Sequence, residues 1–273
     1  MSFFKFENKD VYYEVHGSKG EPIVVLNGIM MSTASWKSFV PEFSKNNTLI
    51  LVDFLDQGQS SRMERDYTHE LQVRLVDELL NVLKLSKVTV MGISYGGEIA
   101  IQYALYNPDR VRRLILANTA GRTSKWLKKI GDGWNEAAKS GNGYAYYLTT
   151  IPVIYSTKFF EERAEWMDRR ELYLTEYFSR KDVQESLIRL TDSSVGYDVV
   201  DRLGEISCPT LVISGSEDAL LPMTEQKLLH EKIKGSVYAT INGSGHASMY
   251  EKPSLFSTLV LGFANLGDGG IKI

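Results

Sequence analysis

The sequence predicts an α/β protein with a doubly wound, mostly parallel sheet of about eight strands and a helical cap inserted after the sixth strand. Short apolar, β-branched runs alternate with helix-like segments up to residue 117, and this alternation returns after residue 205. Between Arg122 and Glu205 no buried strand is evident. Repeated β-α-β order implies right-handed crossovers and therefore parallel strands covered by helices.

The first half of the chain supplies a hairpin and the first parallel strands. The turn-like residues Glu7–Asp10 join Phe3–Phe6 to Val11–Val15, which predicts an antiparallel hairpin. Continuous apolar runs indicate strands buried on both faces at Ile23–Leu26, Thr48–Val52, Val88–Met91 and Arg113–Ala117. Apolar residues at helical spacing predict helices at Thr33–Phe43, His69–Leu83 and Ser94–Tyr106.

The segment 122–205 is predicted to be the cap, and residues 1–121 with 206–273 form the predicted core domain. The cap contains 13 of the 30 aromatic residues, which either line an apolar pocket or form the small core of the cap itself. Its 13 basic and 14 acidic residues nearly cancel, so we do not expect it to steer a strongly anionic substrate.

The alternation that returns after the cap completes the predicted sheet. Strands are predicted at Thr210–Ser214 and Val237–Ile241, and helices at Met223–Lys232 and Pro253–Asn265. The glycine-rich end 267–273 is predicted to be a loose tail.

Composition excludes several functional classes. The chain has 273 residues, of which 43% are hydrophobic and 24% charged, as in ordinary globular proteins. The 31 basic and 34 acidic residues give a net charge of −3, without the positive field of a nucleic-acid or polybasic membrane-surface protein. No apolar run reaches the roughly 18 residues that cross a bilayer. We therefore expect a small-molecule substrate, no nucleic-acid partner and no membrane partner.

Two features predict a cytoplasmic protein. The single cysteine, Cys208, excludes an intramolecular disulfide and favours a reducing compartment. The N-terminal sequence MSFFKFENKD lacks the apolar core and cleavage site of a secretion signal. The sequence leaves the oligomeric state open between monomer and homodimer.

A candidate nucleophile lies at a strand-to-helix turn. Gly92-Ile-Ser94-Tyr-Gly96 follows the predicted strand Val88–Met91 and opens the predicted helix Ser94–Tyr106. G-x-S-x-G occurs by chance in roughly one chain in ten of this length, so its position in a strand-turn-helix is what makes it informative. The glycines permit close backbone approach, and the helix N-terminus favours a developing anion. We predict that Ser94 is a nucleophile; the alternative is a tight turn without catalysis.

A serine nucleophile needs a base, and His246 is the best-placed histidine. It lies in the glycine-rich segment 243–248, just after the last predicted strand. That loop emerges at the same carboxyl edge of the sheet as Ser94. The other three histidines are expected to be surface or structural groups: His16, His69 and His230.

The acid that orients the base should come from a loop at the same edge. The loop after the strand Thr210–Ser214 offers two carboxylates, Glu217 and Asp218. Either of them could instead cap the helix that follows Pro222.

Five motifs in order resemble those of the α/β-hydrolase superfamily, in the capped branch of small carboxylesterases, lactonases and meta-cleavage product hydrolases. The resemblance covers nearly the whole chain. The matching segments are Leu26-Asn-Gly-Ile-Met, Asp53-Phe-Leu-Asp-Gln-Gly58-Gln-Ser60, Gly92–Gly97, Gly215-Ser-Glu-Asp218-Ala-Leu-Leu-Pro222 and Gly245-His246-Ala-Ser-Met-Tyr-Glu251-Lys-Pro253. In the family the acid lies four residues before the proline, so the resemblance selects Asp218 over Glu217, and the order Ser94, Asp218, His246 is the family's order.

The resemblance also implies an oxyanion hole, made by the backbone N–H groups of Ile29 and Tyr95. The family's oxyanion loop usually begins His-Gly, whereas this chain has Asn27-Gly28. We expect the Asn27 side chain to hold the loop through hydrogen bonds to its neighbours. The sequence carries no metal-ligand or nucleotide motif, so we expect no cofactor and no metal.

The implied function is a serine hydrolase that cleaves a carboxylic ester, lactone or thioester of a small to medium, apolar substrate. A serine rather than an aspartate at position 94 favours acyl chemistry over the alkyl-enzyme chemistry of dehalogenases and epoxide hydrolases. Two alternatives within enzymes use the same three residues, a C–C bond hydrolase and a perhydrolase. A third alternative is a ligand sensor on the same fold with slow turnover.

Overall fold

The core of the computed structural model is an eight-stranded sheet, and the model describes residues 2–267. The strands are β1 (Ser2–Phe6), β2 (Lys9–His16), β3 (Pro22–Leu26), β4 (Thr48–Val52), β5 (Val88–Ile93), β6 (Val111–Ala117), β7 (Thr210–Gly215) and β8 (Val237–Ile241). Their order across the sheet is β1-β2-β4-β3-β5-β6-β7-β8. β1 and β2 pair antiparallel, β2 joins β4 antiparallel, and the remaining pairs are parallel. The predicted fold class is confirmed; the predicted loose tail lies outside the described residues, apart from Gly267.

Both faces of the parallel strands are buried in β3 to β7, as their continuous apolar runs require, whereas the edge strand β8 is largely half-buried. On one face, Val24, Ile50 and Val90 pack under two helices, α2 (His69–Val82) and α3 (Tyr95–Tyr106). On the other, Val25, Leu51 and Met91 pack with residues of α11 (Pro253–Ala264). Successive residues of one strand therefore serve opposite cores.

One predicted helix is wrong. The segment predicted as a single helix, Thr33–Phe43, consists of a short 3₁₀ turn at Thr33–Trp36 and one turn of α-helix, α1 (Val40–Phe43). Pro41 accounts for the break, because proline removes a backbone N–H and its ring clashes with the carbonyl one turn earlier. The apolar spacing still serves burial, since Trp36, Phe39 and Phe43 are buried against the sheet.

Five helices follow β6 and cover the carboxyl edge of the sheet. They are α4 (Lys125–Lys139), α5 (Gly143–Ile154), α6 (Thr157–Glu162), α7 (Ala164–Phe178) and α8 (Lys181–Ser193). Their buried aromatic and aliphatic side chains form a third cluster with residues such as Tyr146, Phe178 and Leu187. Two further helices follow in the chain. α9 (Met223–Lys232) lies between β7 and β8, and the short α10 (Ser248–Glu251) comes after β8.

Candidate active site

Ser94 lies at the sharp turn between β5 and α3. Its backbone has φ 54° and ψ −124°, a left-handed region that L residues rarely adopt. The two flanking glycines make this turn feasible. A Cβ on Gly92 would lie 2.2 Å from the Gly96 carbonyl oxygen, and one on Gly96 would lie 2.1 Å from the Leu26 carbonyl oxygen. The turn thus needs glycine on both sides of the serine.

The structure brings Ser94, His246 and Asp218 into one hydrogen-bonded chain. His246 Nε2 lies 2.9 Å from Ser94 Oγ, and His246 Nδ1 lies 2.9 Å from Asp218 Oδ2. The Asp218 side chain is fully buried and that of His246 is 8% exposed. Glu217, the other carboxylate of this loop, is not part of this chain of contacts; its backbone N–H donates to the Ser244 carbonyl.

The Asp218 carboxylate is fixed on both oxygens. Its Oδ1 accepts from the backbone N–H groups of Leu220 and Leu221, at 3.1 and 2.8 Å. Its Oδ2 accepts from Asn118 Nδ2 at 2.9 Å in addition to facing His246. These donors orient the carboxylate and stabilise its charge in a buried position.

Asn118 is a site residue that the sequence reasoning missed. It follows β6 directly, has φ 45°, and its Oδ1 accepts from Ser248 Oγ at 2.6 Å. Asparagine tolerates this left-handed conformation better than most residues. A polar residue at the carboxyl end of a central strand was the available signal, because those ends share one edge of the sheet.

Glu251 fixes the histidine loop and was also missed as a site residue. Its Oε1 accepts from the backbone N–H groups of Gly245, at 3.1 Å, and Ser156, at 3.0 Å. Its Oε2 accepts from Ser156 Oγ at 2.6 Å. Because Ser156 caps the helix α6, this buried carboxylate joins the histidine loop to the helices above the sheet.

The two predicted oxyanion donors lie beside the nucleophile. Tyr95 directly follows Ser94, and a Cβ on Gly28, next to Ile29, would lie 3.4 Å from Ser94 Cβ. Within residues 2–267, no protein acceptor faces the backbone N–H of Ile29 or of Tyr95. Both groups are therefore free to receive a hydrogen bond acceptor from a substrate.

Side-chain amides hold the loop that carries Ile29. Asn27 Nδ2 donates to the Val52 carbonyl at 2.8 Å, and Asn27 Oδ1 accepts from Trp36 Nε1 at 2.8 Å. Gln57 Nε2 donates to the Gly28 carbonyl at 2.8 Å. Asn27 thus holds the loop through its neighbours as expected, and the buried Gln57 adds a support that the sequence did not reveal.

A cavity of about 100 Å³ opens above Ser94 and His246. Most of its lining side chains are apolar, and the segment 122–205 contributes several of them, among them Trp134, Tyr155 and Phe178. Tyr146 does not line the cavity and packs against Phe178 instead, with ring centroids 4.8 Å apart. The aromatic residues of this segment therefore serve both expected purposes, and Phe178 contributes to both.

A second buried polar cluster lies one turn along α3 from Ser94. Ser194 Oγ donates to Glu98 Oε2 at 3.1 Å and lies 2.9 Å from His69 Nε2. Burial raises the pKa of Glu98 to about 8 and lowers that of His69 to about 3. His69 Nε2 lies 3.3 Å from Glu98 Oε2, a distance that by itself is compatible with an ion pair. However, Gln102 Nε2 donates to both the Glu98 carbonyl and His69 Nδ1, which leaves the ring neutral.

The two remaining histidines lie away from Ser94. His16 Nε2 is 2.7 Å from Glu14 on β2, and His230 Nδ1 is 2.8 Å from Ser236 Oγ after α9. Among the described residues, no group of three or more His, Cys, Asp or Glu side chains could hold a metal ion. In the same part of the chain, no helix is long and apolar enough to cross a membrane.

Comparison with known proteins identifies the family. The model of the alpha/beta hydrolase fold family matches residues 21–253. The chain therefore belongs to the α/β-hydrolase family, and the resemblance inferred from its motifs is confirmed.

The similar proteins include hydrolases of several kinds. A solved alpha/beta hydrolase enzyme, MGS-M2, from a Medee basin deep-sea metagenome library, is 47% identical, covers 100% of this chain and 98% of its own, and superposes with a TM-score of 0.95. The putative carbamate hydrolase RutD of Azorhizobium caulinodans is 25% identical over 93% of this chain and 94% of its own length. The 3-oxoadipate enol-lactonase 1 of Acinetobacter baylyi is 26% identical over 94% of both.

Proposed function

We propose that this protein is a serine hydrolase that cleaves a carboxylic ester, including a lactone or thioester, through an acyl-enzyme on Ser94. The observation that carries the proposal is the hydrogen-bonded chain from Ser94 Oγ through His246 to the buried Asp218 carboxylate. An isolated serine hydroxyl is a poor nucleophile at neutral pH, and this arrangement supplies the base and its orienting acid.

In the acylation step, Ser94 Oγ attacks the substrate carbonyl carbon while His246 Nε2 takes the hydroxyl proton. Asp218 Oδ2 accepts a hydrogen bond from His246 Nδ1–H, which fixes the ring tautomer and stabilises the imidazolium. When the tetrahedral intermediate collapses, the bond to the leaving oxygen or sulfur breaks and His246 returns the proton to it. Water then repeats the sequence on the acyl-enzyme, releasing the acid and restoring the serine.

The backbone N–H groups of Ile29 and Tyr95 stabilise the oxyanion in both steps. One such donor is typically worth about 3–4 kcal/mol of transition-state stabilisation. The hydrogen bonds of Asn27 and Gln57 hold the loop that carries Ile29, and they keep its N–H group oriented before the substrate binds. The mostly apolar cavity wall suits the carbon skeleton of a small to medium substrate.

The direct test is the initial rate of hydrolysis of p-nitrophenyl esters from acetyl to dodecanoyl, with Ser94→Ala beside the wild type. We expect an optimum in acyl chain length, and a loss of kcat on the order of 10⁶-fold in Ser94→Ala. Asp218→Asn should lose less than Ser94→Ala. Retention of most of the activity by Ser94→Ala would exclude this mechanism.

Additional substrates separate the alternative chemistries. A ring-fission dienoate hydrolysed much faster than any ester would assign a C–C hydrolase. Peracid formation from the acyl-enzyme with hydrogen peroxide at a rate above hydrolysis would assign a perhydrolase. Turnover below about one per minute on every substrate, together with a large ligand-induced cap movement, would assign a sensor, since typical enzymes turn over near 10 s⁻¹.

A further inference from the structure

One charged side chain stands out in the wall of the cavity above Ser94. Arg170, on α7, is the one Lys, Arg, Asp or Glu among the described residues that line it. It shares that wall with Ser94 and His246, so a ligand in the cavity contacts the guanidinium and the reacting groups together. The other lining residues near Arg170 are mainly apolar, such as Leu174 and Ile151.

Arg170 has no acidic partner. Within the described chain, no carboxylate forms an ion pair with it, although its own helix carries acidic neighbours at Asp168 and Glu171. Its Nε atom is buried and has no hydrogen bond partner. A buried donor that belongs to a charged group is costly to leave unsatisfied, and a carboxylate held at the guanidinium edge offsets that cost through its opposite charge.

Two aromatic rings hold the guanidinium in place. Its central carbon lies 4.7 Å from the ring centroid of Trp166 and 5.4 Å from that of Tyr250. Trp166 is one turn away on α7, whereas Tyr250 belongs to α10, four residues after His246. The aromatic contacts therefore fix the position of the charge relative to His246 while leaving the guanidinium edge unpaired.

We propose that Arg170 binds a carboxylate of the substrate, so that the preferred substrates are esters, lactones or thioesters of compounds that carry a second, free acid group. The guanidinium presents its N–H donors as a planar fork, which matches the two oxygens of a carboxylate. The nearly equal numbers of acidic and basic residues in the cap weaken its long-range electrostatic field. They do not determine which group a single arginine in the cavity wall contacts. This inference rests on the proposed function, because it names the substrate class for the same site.

The test compares anionic and neutral substrates of matched length. In the first pair the free acid is on the acyl side: mono-p-nitrophenyl glutarate carries it and p-nitrophenyl pentanoate lacks it. In the second pair it is on the alcohol side: the butyrate ester of 3-hydroxybenzoate carries it and the butyrate ester of phenol lacks it. In at least one pair, we expect the wild type to have a kcat/KM at least tenfold higher for the anionic member.

Substitutions at two adjacent arginines locate the effect. Arg170→Gln should lower kcat/KM for the preferred anionic ester by about 10- to 100-fold, as expected for a lost hydrogen bond to a charged group, and should change the neutral ester by less than about threefold. Arg170→Lys should retain part of the preference. The control is Arg169→Gln, one residue earlier on the same helix and exposed, which should leave both substrates unchanged.

A binding measurement keeps this inference separate from the proposed function. Glutaramate, which carries an amide and a free carboxylate, and the neutral pentanamide are titrated by calorimetry into Ser94→Ala and into Ser94→Ala combined with Arg170→Gln. Tighter binding of glutaramate that disappears in the double variant supports the carboxylate site even if no ester is hydrolysed. Equal kcat/KM for both members of each pair, an equal loss on both in Arg170→Gln, or equal binding of glutaramate and pentanamide would overturn it.

Discussion

At the scale of single residues, the candidate site depends on backbone conformations and buried polar contacts that a motif only partly reveals. Ser94, Asp218 and His246 were predictable because each follows a strand in a recognisable local pattern. The contacts of Asn118, Glu251 and Gln57 could not be predicted in the same way, although Glu251 and Gln57 lie in matched segments, because each has at least one partner far away in sequence. Asn118, for example, contacts Asp218 across 100 positions.

The role of Arg170 was likewise not predictable from the number of charged residues in the sequence. Counting charges in the segment 122–205 predicts a nearly neutral cap, and that count is correct. It could not reveal that one of the cations is partly buried beside Trp166 and Tyr250 without an acidic partner.

The buried Glu98–His69 pair predicts how stability depends on pH. Burial raises the pKa of Glu98 from 4.5 to about 8 and lowers that of His69 from 6.5 to about 3. Between pH 6.5 and 8 the folded protein keeps a proton on Glu98 that the unfolded chain has released, so stability falls as pH rises. Between pH 3 and 4.5 the unfolded chain holds a proton on His69 that the folded protein lacks, so stability rises with pH. From pH 4.5 to 6.5 the two contributions oppose each other.

Glu98→Gln should remove the fall between pH 6.5 and 8, which is worth up to about 1.4 kcal/mol per pH unit. Urea unfolding at half-unit pH steps measures this slope. The matched control is Glu161→Gln on the exposed surface of α6, which should keep the wild-type slope. An unchanged slope in Glu98→Gln would show that Glu98 is already ionised in the folded protein at neutral pH.

At the scale of elements, the strand and helix assignments from periodicity were largely correct because the parallel strands are buried on both faces. The region Thr33–Phe43 failed because apolar spacing reports burial and not backbone continuity, which Pro41 interrupts. The side-chain hydrogen bonds that join separate elements were not predictable. The clearest case is Glu251, whose hydrogen bonds join the histidine loop to the start of α6.

Ser156 allows this connection to be tested against a matched helix cap. Ser156 Oγ accepts from the Phe159 N–H at the start of α6 and also donates to Glu251, whereas Ser124 Oγ accepts only from the Leu127 N–H at the start of α4. Each serine-to-alanine change should cost about 1 kcal/mol of stability through loss of the cap. Ser156→Ala should also lower kcat, by about threefold to tenfold, because the histidine loop loses a support.

Steady-state kinetics and urea unfolding of the two variants make the comparison. Ser124→Ala is expected to have the wild-type kcat. Equal kcat in both variants would mean that Glu251 orients the histidine loop without help from α6.

At the scale of the whole molecule, the helices above the sheet are held to it by a buried ion pair. Arg189 on α8 donates through Nε, at 3.0 Å, and Nη2, at 2.6 Å, to Asp56 in the segment after β4. The Asp56 side chain is fully buried and that of Arg189 is 13% exposed. Removing one partner would leave a buried charge uncompensated. The division into a core of 1–121 and 206–273 and a cap of 122–205 remains a prediction that this contact helps to test.

Arg189→Gln should lower the free energy of unfolding by about 3–5 kcal/mol, or release the cap without unfolding the sheet. Hydrogen exchange followed by mass spectrometry distinguishes the two results. A cap that is a separate unit should lose protection in α4 to α8 while β3 to β7 stay protected. Arg180→Gln, which breaks the exposed pair with Asp182, is the control and should change stability by less than about 1 kcal/mol. Uniform loss of protection over the whole chain would contradict the division into cap and core.

If Ser94 carries the acyl group during turnover, the covalent adduct is detectable in the intact mass of the protein after rapid acid quench of its reaction with a p-nitrophenyl ester. We expect a mass increase equal to the acyl group, located by proteolysis on the peptide that contains Ser94 and absent in Ser94→Ala. Turnover without a covalent adduct, or an adduct on any other residue, would contradict it.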